Sequence, residues 1–425
     1  ATEGSFSDLF PILANIDTLA QVEGLLGPRL CSDEIANGYG LEASPCEISN
    51  WTELKAVNEF PGSFYKLTAD IDKTSAGYST EFEALDRFYG TFDGNDLTIS
   101  DLVIRQTTIS TSRPTGLFSS LGRTFPTTEK ATVKDLTLTN VDIQSAAYAT
   151  GALAGLSVVA LIDNVHVSGK VTGTGTSNER IGGLIGEVVR FYSDHTIQNS
   201  SSSAIITGRD KVGGLVGYRT GTIINSFATG NVTGQTQVGG LVGRAGDEEP
   251  DSITNSYATG NVTALGVAGG LVGDRVGQSS GSLTLERVFA SGNVTTSGSR
   301  AGGLIGRFTL AGTLTVTDAY ATGDVTAENV VGGFMGEVGF NSTVTIDRAF
   351  STGAVTRSGT AGDPITGGFL AADQSTATIT NSYWDAQSSG QSSSVGLADT
   401  AGLTTAEITG AAAATSMAGV GFRST

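Results

Sequence analysis

The sequence predicts an all-β chain wound as a parallel β-helix, a β-solenoid of about nine coils with short helical caps at both ends. Three observations carry this reading. Glycine fills 59 of 425 positions, about twice its usual share. One short pentad returns every 26–36 residues. Between its copies lie short alternating runs of Val, Ile, Thr and aromatic residues, without helical periodicity. Collagen is excluded, because it needs glycine at every third position and far more than 8 prolines. A charged fraction of 16% beside 39% apolar residues opposes disorder. The longest uncharged apolar run, residues 151–162, falls well short of the roughly 18 residues of a membrane span. Length alone would give about three domains, but a repeat array is better counted as one capped rod.

Residues 1–50 read as an acidic cap. Phe6, Leu9, Phe10, Leu13, Ile16, Leu19 and Leu26 form an apolar stripe at helical spacing. Ser5 or Ser7 is placed to cap it, and Pro11 fits only near its first turn. Residues 1–100 hold 17 acidic and 5 basic side chains, so this quarter supplies most of the net charge of −18. Such a balance argues against nucleic acid or an anionic membrane as a partner. Cys31 and Cys46 are the only cysteines. Their spacing reads as one disulfide in a secreted or periplasmic setting, with two buried thiols as the alternative. A start at Ala1-Thr2-Glu3 suits a mature N-terminus after cleavage of a leader. Residues 51–115 are the entry segment and first coils, opening with a helix that starts near Asn50 and runs through Glu53, Leu54 and Val57.

Residues 116–385 are the repeat array. The pentad reads Gly182-Gly183-Leu184-Ile185-Gly186, then Gly213-Gly214-Leu215-Val216-Gly217, and its central apolar residue recurs at Leu241, Leu271, Leu304 and Phe334. Degenerate copies lie at Leu117, Leu153 and Phe369. A second motif alternates with it, as in Asn225-Ser226-Phe227-Ala228-Thr229-Gly230-Asn231-Val232-Thr233 and Asn255-Ser256-Tyr257-Ala258-Thr259-Gly260-Asn261-Val262-Thr263. With an upstream stretch such as Ser252-Ile253-Thr254, each unit offers three short strands. A propeller blade would need four, which favours the helix. Glycine is expected to supply positive φ at corners and close approach between backbones. Residues 386–425 form the last cap. Thr404 and Glu407 have capping-box spacing ahead of an alanine-rich helix, and the chain is expected to continue into a longer parent protein.

The interleaved motifs resemble the GLUG repeat of large bacterial extracellular proteins, among them adhesins, haemagglutinin-like proteins and some surface peptidases. Asn381-Ser382-Tyr383-Trp384-Asp385, and Gly90-Thr91-Phe92-Asp93-Gly94-Asn95 near the entry, are similar to the way such arrays end and begin. The resemblance covers about residues 50–425. It implies a right-handed β-helix and a cell-surface role, and it defines no catalytic residue. The His-Glu-x-x-His pattern of the peptidase members is missing.

Candidate sites follow from the alternation. Val232 and its equivalents point inward, so Asn231, Asn261, Asn293 and Asp324 stack in one outward column, with Thr233, Thr263, Thr295, Thr326 and Thr356 in another. Such columns act as register-keeping ladders or as a flat, nearly uncharged surface for a repetitive ligand, a glycan chain or an ice lattice. Asp247, Glu248, Glu249 and Asp251 could hold Ca²⁺, against the plainer reading of a solvated acidic loop. Asp70 and Asp72 could share a strand face, and Asp93-Gly94-Asn95-Asp96 reads as a turn. With two histidines, His166 and His195, there is little material for a His-based metal site or a catalytic triad. The sequence therefore points to a secreted module without chemistry or required cofactor. It would bind a host or bacterial surface glycan or protein, or serve as a rigid spacer. A head-to-tail filament subunit, an ice-binding protein and a polysaccharide lyase or hydrolase are the alternatives.

Overall fold

The structure, a computed structural model, describes residues 30–107, 113–124, 127–176, 179–189, 195–246, 250–276, 281–360, 365–398 and 401–417. The apolar stripe of residues 6–26 lies outside them, as do residues 418–425. The chain winds as a parallel β-helix whose strands group into three sheets of 24, 8 and 10 strands. A single coil shows the plan. Asp251–Thr254, Tyr257–Ala258 and Val262–Ala264 belong to the first sheet, Val267–Gly269 to the second and Val272–Val276 to the third. Each pairs in parallel with its equivalent one coil away. A coil thus holds five short strands, where the motifs led us to expect three. One extra break lies inside the second motif, between Ala258 and Val262, and the other at the pentad, between Gly269 and Val272, and the alternation pattern alone marks neither.

The third sheet contributes one strand per coil, and its ten strands make ten coils. The coil beyond the nine expected is that of Leu85–Phe88, which pairs with Phe118–Leu121. It carries no glycine pentad and so gave no repeat signal.

The pentad apolar residues form the core: Leu184, Leu215, Leu241, Leu271, Leu304 and Phe334 are all fully buried. The valines of the Asn-Val-Thr strands meet them from the first sheet, at 0–6% exposure from Val232 to Val355. The glycines around them are set by contact distance. A Cβ on Gly213 would lie 2.0 Å from the Val216 carbonyl oxygen. On Gly214 it would lie 2.0 Å from the Gly240 carbonyl oxygen and 2.7 Å from the Ala228 methyl. The second and third sheets therefore meet backbone to backbone, and the corner packs directly on alanine.

None of the described pentad glycines has positive φ. That expectation is corrected: the left-handed corner belongs to the residue opening the second motif. Asn199, Asn225, Asn255, Arg287, Asp318, Arg348 and Asn381 all take φ between 46° and 56° there. Asparagine and aspartate visit this region at least strain. The Asp93–Asp96 segment is a bulge within Thr91–Ser100 instead of a hairpin turn, with Asn95 and Asp96 at φ of 54° and 59°.

Both ends are closed. Cys31 and Cys46 form a disulfide, both residues buried, and Cys46–Ile48 pairs with Phe64–Leu67 as the first rung. The helix Trp51–Lys55 begins at Asn50, whose side chain accepts the Glu53 N–H. At the other end Trp384 is fully buried and donates from Nε1 to the Gln391 carbonyl. Thr404 and Glu407 form the capping box, and Ile408, Ala413 and Met417 pack on Phe350 and Tyr383.

Gly213→Ala should cost about 3 kcal/mol or more, because neither contacting backbone can withdraw. Gly390→Ala has nothing within 4 Å of the new methyl at φ 67° and should cost only about 1 kcal/mol of backbone strain. Urea unfolding followed by circular dichroism compares the two, and equal losses would refute the close-approach argument.

Candidate functional site

The outer surface of the first sheet carries the columns expected from the sequence. Thr233, Thr263, Thr295, Thr326 and Thr356 pair directly in register from coil to coil. Most of these residues are exposed, with Thr326 half-buried, and among the described residues their hydroxyls have no hydrogen-bond partner. The asparagine column behaves differently. Asn231 Oδ1 accepts the Asn261 backbone N–H at 3.0 Å, and Asn261 Oδ1 accepts that of Asn293 at 2.9 Å. Asn293 serves Asp324 likewise at 3.0 Å, and Asp324 serves Ala354 at 2.9 Å. These oxygens tie coils together, leaving the side-chain N–H groups and the threonine hydroxyls to face outward. Thr229, Thr259, Ser291 and Thr322 add a third exposed column. It was present in the Ala-Thr-Gly part of the motif, at constant offset, but was not recognised as part of the face.

Other ladders flank this surface. At the left-handed corner, Asn225 Nδ2 donates to Asn199 Oδ1 at 3.2 Å, and Asn255 Nδ2 to Asn225 Oδ1 at 3.0 Å. Ser226 and Ser256, both buried, accept the backbone N–H of the preceding coil's Ser200 and Ser226, each at 3.1 Å. Next to them Phe227, Tyr257, Phe289, Tyr320 and Phe350 stack face to face. Their centroids are 4.6–5.2 Å apart and their planes within 9°. Alternating Phe and Tyr at one offset was the available signal. Because the faces cover one another, each ring is half-buried.

Of the proposed calcium ligands, Asp251 is the one within the described residues. Asp247, Glu248 and Glu249 lie outside the described residues. Asp251 is buried, and its two oxygens accept the Gly221 N–H at 3.0 Å and the Gly246 N–H at 2.7 Å, closing a loop. Among the described residues no group of three or more His, Cys, Asp or Glu could hold a metal. Asp70 accepts the Thr98 N–H, while Asp72 turns to Thr74, so that pair diverges. His166 lies between Ser201 Oγ at 2.8 Å from Nδ1 and Asn164 Oδ1 at 3.0 Å from Nε2. The three follow from register, since His166 and Ser201 are neighbours in adjacent coils.

Burial raises the Asp251 carboxyl to about 6, and burial also raises that of Glu179 to about 6, with nearby Asp210 adding to the rise. Both exceed the unfolded values near 4. The folded chain therefore binds more protons between pH ~4 and 6. Their stabilising contribution is full below the unfolded values and is lost as pH rises through 6. Melting temperature should fall from pH 4.5 to 7, and Asp251→Asn should flatten that slope. Asn261→Ala should cost about 1 kcal/mol and speed hydrogen exchange at the Asn293 amide. Asn261→Asp should not, since Asp324 already fills that role.

With the geometry in place, comparison with known proteins is direct. The model of the family described as the GLUG motif matches residues 234–263, which span one pentad and one complete second motif. Halomucin of Haloquadratum walsbyi is 34% identical over 223 residues, covering 43% of this chain. The chain spans about 2% of that relative's length. A solved Bacteroides ovatus structure, provisionally named an immunoglobulin A1 protease, is 23% identical with a TM-score of 0.49. It covers 62% of this chain and 80% of its own. A likeness that distant carries no argument about activity. Among the described residues no helix is long and apolar enough to cross a membrane. The chain therefore carries the GLUG motif at residues 234–263, within a longer array of the same pentad and alternating partner.

Proposed function

We propose that this chain is a non-catalytic, extracellular binding module of a surface protein, and that its threonine face takes a polyhydroxylated glycan chain. The observation that carries the reading is the column from Thr233 to Thr356, in register and with hydroxyls unspent among the described residues. A ladder of equal polar groups at one strand spacing, about 4.8 Å, offers repeated weak hydrogen bonds to a repetitive ligand. The disulfide favours an oxidising compartment, and the GLUG motif and halomucin's likeness favour a secreted or surface location. A rigid spacer is the second reading. The asparagine, serine and aromatic ladders favour it, because each spends its side chains on holding coils together.

A glycan array with the folded chain should yield at least one neutral glycan ligand. Thr263→Lys with Thr295→Lys should weaken it about tenfold or more, since two ammonium groups obstruct the column. Unchanged binding in the folded variant would sink the threonine-face reading, and no binding to any glycan would favour the spacer. Light scattering and thermal hysteresis on the same sample test the filament and ice-binding alternatives.

A further inference from the structure

On the opposite side of the rod, the second and third sheets meet at the pentad glycines. Beyond that contact, outward side chains from the two sheets face each other across a seam. Along the third sheet the seam residues run Arg244, Asp274, Arg307 and Glu337 in successive coils. Their signs alternate, and Arg307 bridges Asp274 at 2.7 Å while Arg300 bridges Glu337. This is how a stacked column holds charge without repulsion.

The pattern breaks one coil earlier. Arg180 and Lys211 are direct in-register neighbours in the second sheet, like charges at one strand spacing. Arg244 joins them from the third sheet, and Arg219 from just past that sheet's strand Val216–Tyr218. All four cations lie 4.3–5.5 Å from the Tyr218 ring. Glu187 bridges Arg180 at 3.1 Å and Arg219 at 2.8 Å, Asp210 attracts the Lys211 ammonium beside it, and Asp274 is the in-register neighbour of Arg244. Lys211 and Arg244 have further partners of their own, so the distinguishing feature is the pairing of Arg180 with Lys211. Burial, with Arg180 and Arg244 beside it, brings the Lys211 ammonium down to about 8. Arg219 is held with φ at 59°, a left-handed conformation. Like charges placed side by side, a strained arginine and a ring beneath them are poor devices for stability alone. The Arg180 and Arg219 side chains keep 18% and 16% of their surface, so both are in part open to solvent.

We propose that this seam is an anion-binding site in which Arg180, Lys211 and Arg219, arranged around Tyr218, receive one carboxylate or sulfate group. Guanidinium groups supply forked donors suited to either group. The site lies on a different face from the threonine column and stands or falls independently of it.

The full chain is titrated calorimetrically with sodium sulfate and, separately, with oligogalacturonate, at constant ionic strength and pH 7. Binding of at least one is expected, weakened about tenfold or more by Arg180→Gln and by Lys211→Gln. Arg209→Gln, an exposed cation, should leave it unchanged. Circular dichroism without anion checks that each variant is folded. Sulfate alone marks a free-anion site, and tighter oligogalacturonate marks an acidic glycan. No binding of either probe overturns the proposal, and so does equal binding by Arg180→Gln, Lys211→Gln and the parent. If one variant misfolds, the other decides.

Discussion

One coil rises by one strand spacing, about 4.8 Å, and this constraint governs the whole molecule. Each residue has its own equivalent directly above and below it, so side-chain chemistry is judged in columns. An apolar column interdigitates and becomes continuous core. An amide column can donate and accept along its length, as from Asn199 to Asn255. An aromatic column stacks, as from Phe227 to Phe350. A column of one charge repels itself. Near the entry the same constraint gives Glu47, Lys66, Asp93, Lys134 and Asp163 in strict alternation of sign along paired strands. The net charge of −18 is thereby carried without lining up like charges there.

Narrow coils need small residues where walls touch and a left-handed residue where the chain turns. These are separate requirements, met by different residue types. Glycine at 213, 214 and 217 lets three walls meet, because any Cβ would strike a backbone atom within 2.0–2.5 Å. Asparagine takes the turn and adds a hydrogen bond that glycine could not make. Arg287 and Arg348 take the same corner with bulkier side chains. They recover the ladder by donating to Asn255 and to Asp318 in the preceding coil.

Much of this was legible before the structure. The pentad marks the buried row, the Asn-Val-Thr alternation marks inward valine and outward threonine, and Thr404 with Glu407 marks a cap. Each is a local pattern, read within ten residues. What escaped depends on register between residues 26–36 positions apart, with loops of unequal length. The Arg180–Lys211 neighbours, the His166–Ser201 contact and the aromatic stack are all of this kind. The tenth coil escaped for another reason: Leu85–Phe88 fills its place with Phe88 packed on Phe92 and Phe118, so it needed no glycine corner. Asp251 was misjudged because an acidic run looks solvated, whereas its carboxylate is drawn inside by two backbone N–H groups.

A scaffold held by ladders has little conformational freedom left to lose on binding, which changes what its two candidate surfaces can do. A threonine hydroxyl contributes a weak hydrogen bond, about 0.5–1.5 kcal/mol. In a fixed column such bonds accumulate with the number of coils a ligand spans. Affinity on that face should therefore grow with ligand length and respond little to salt. The seam beside Tyr218 works in the opposite manner. Its charges converge on one point, so affinity there should follow the charge of a single group, fall as salt rises, and be indifferent to length. The regular columns suit extended partners, and the Arg180–Lys211 pairing, where charge alternation fails, suits a compact anion. Both follow from one stacking rule, the first by obeying it and the second by breaking it.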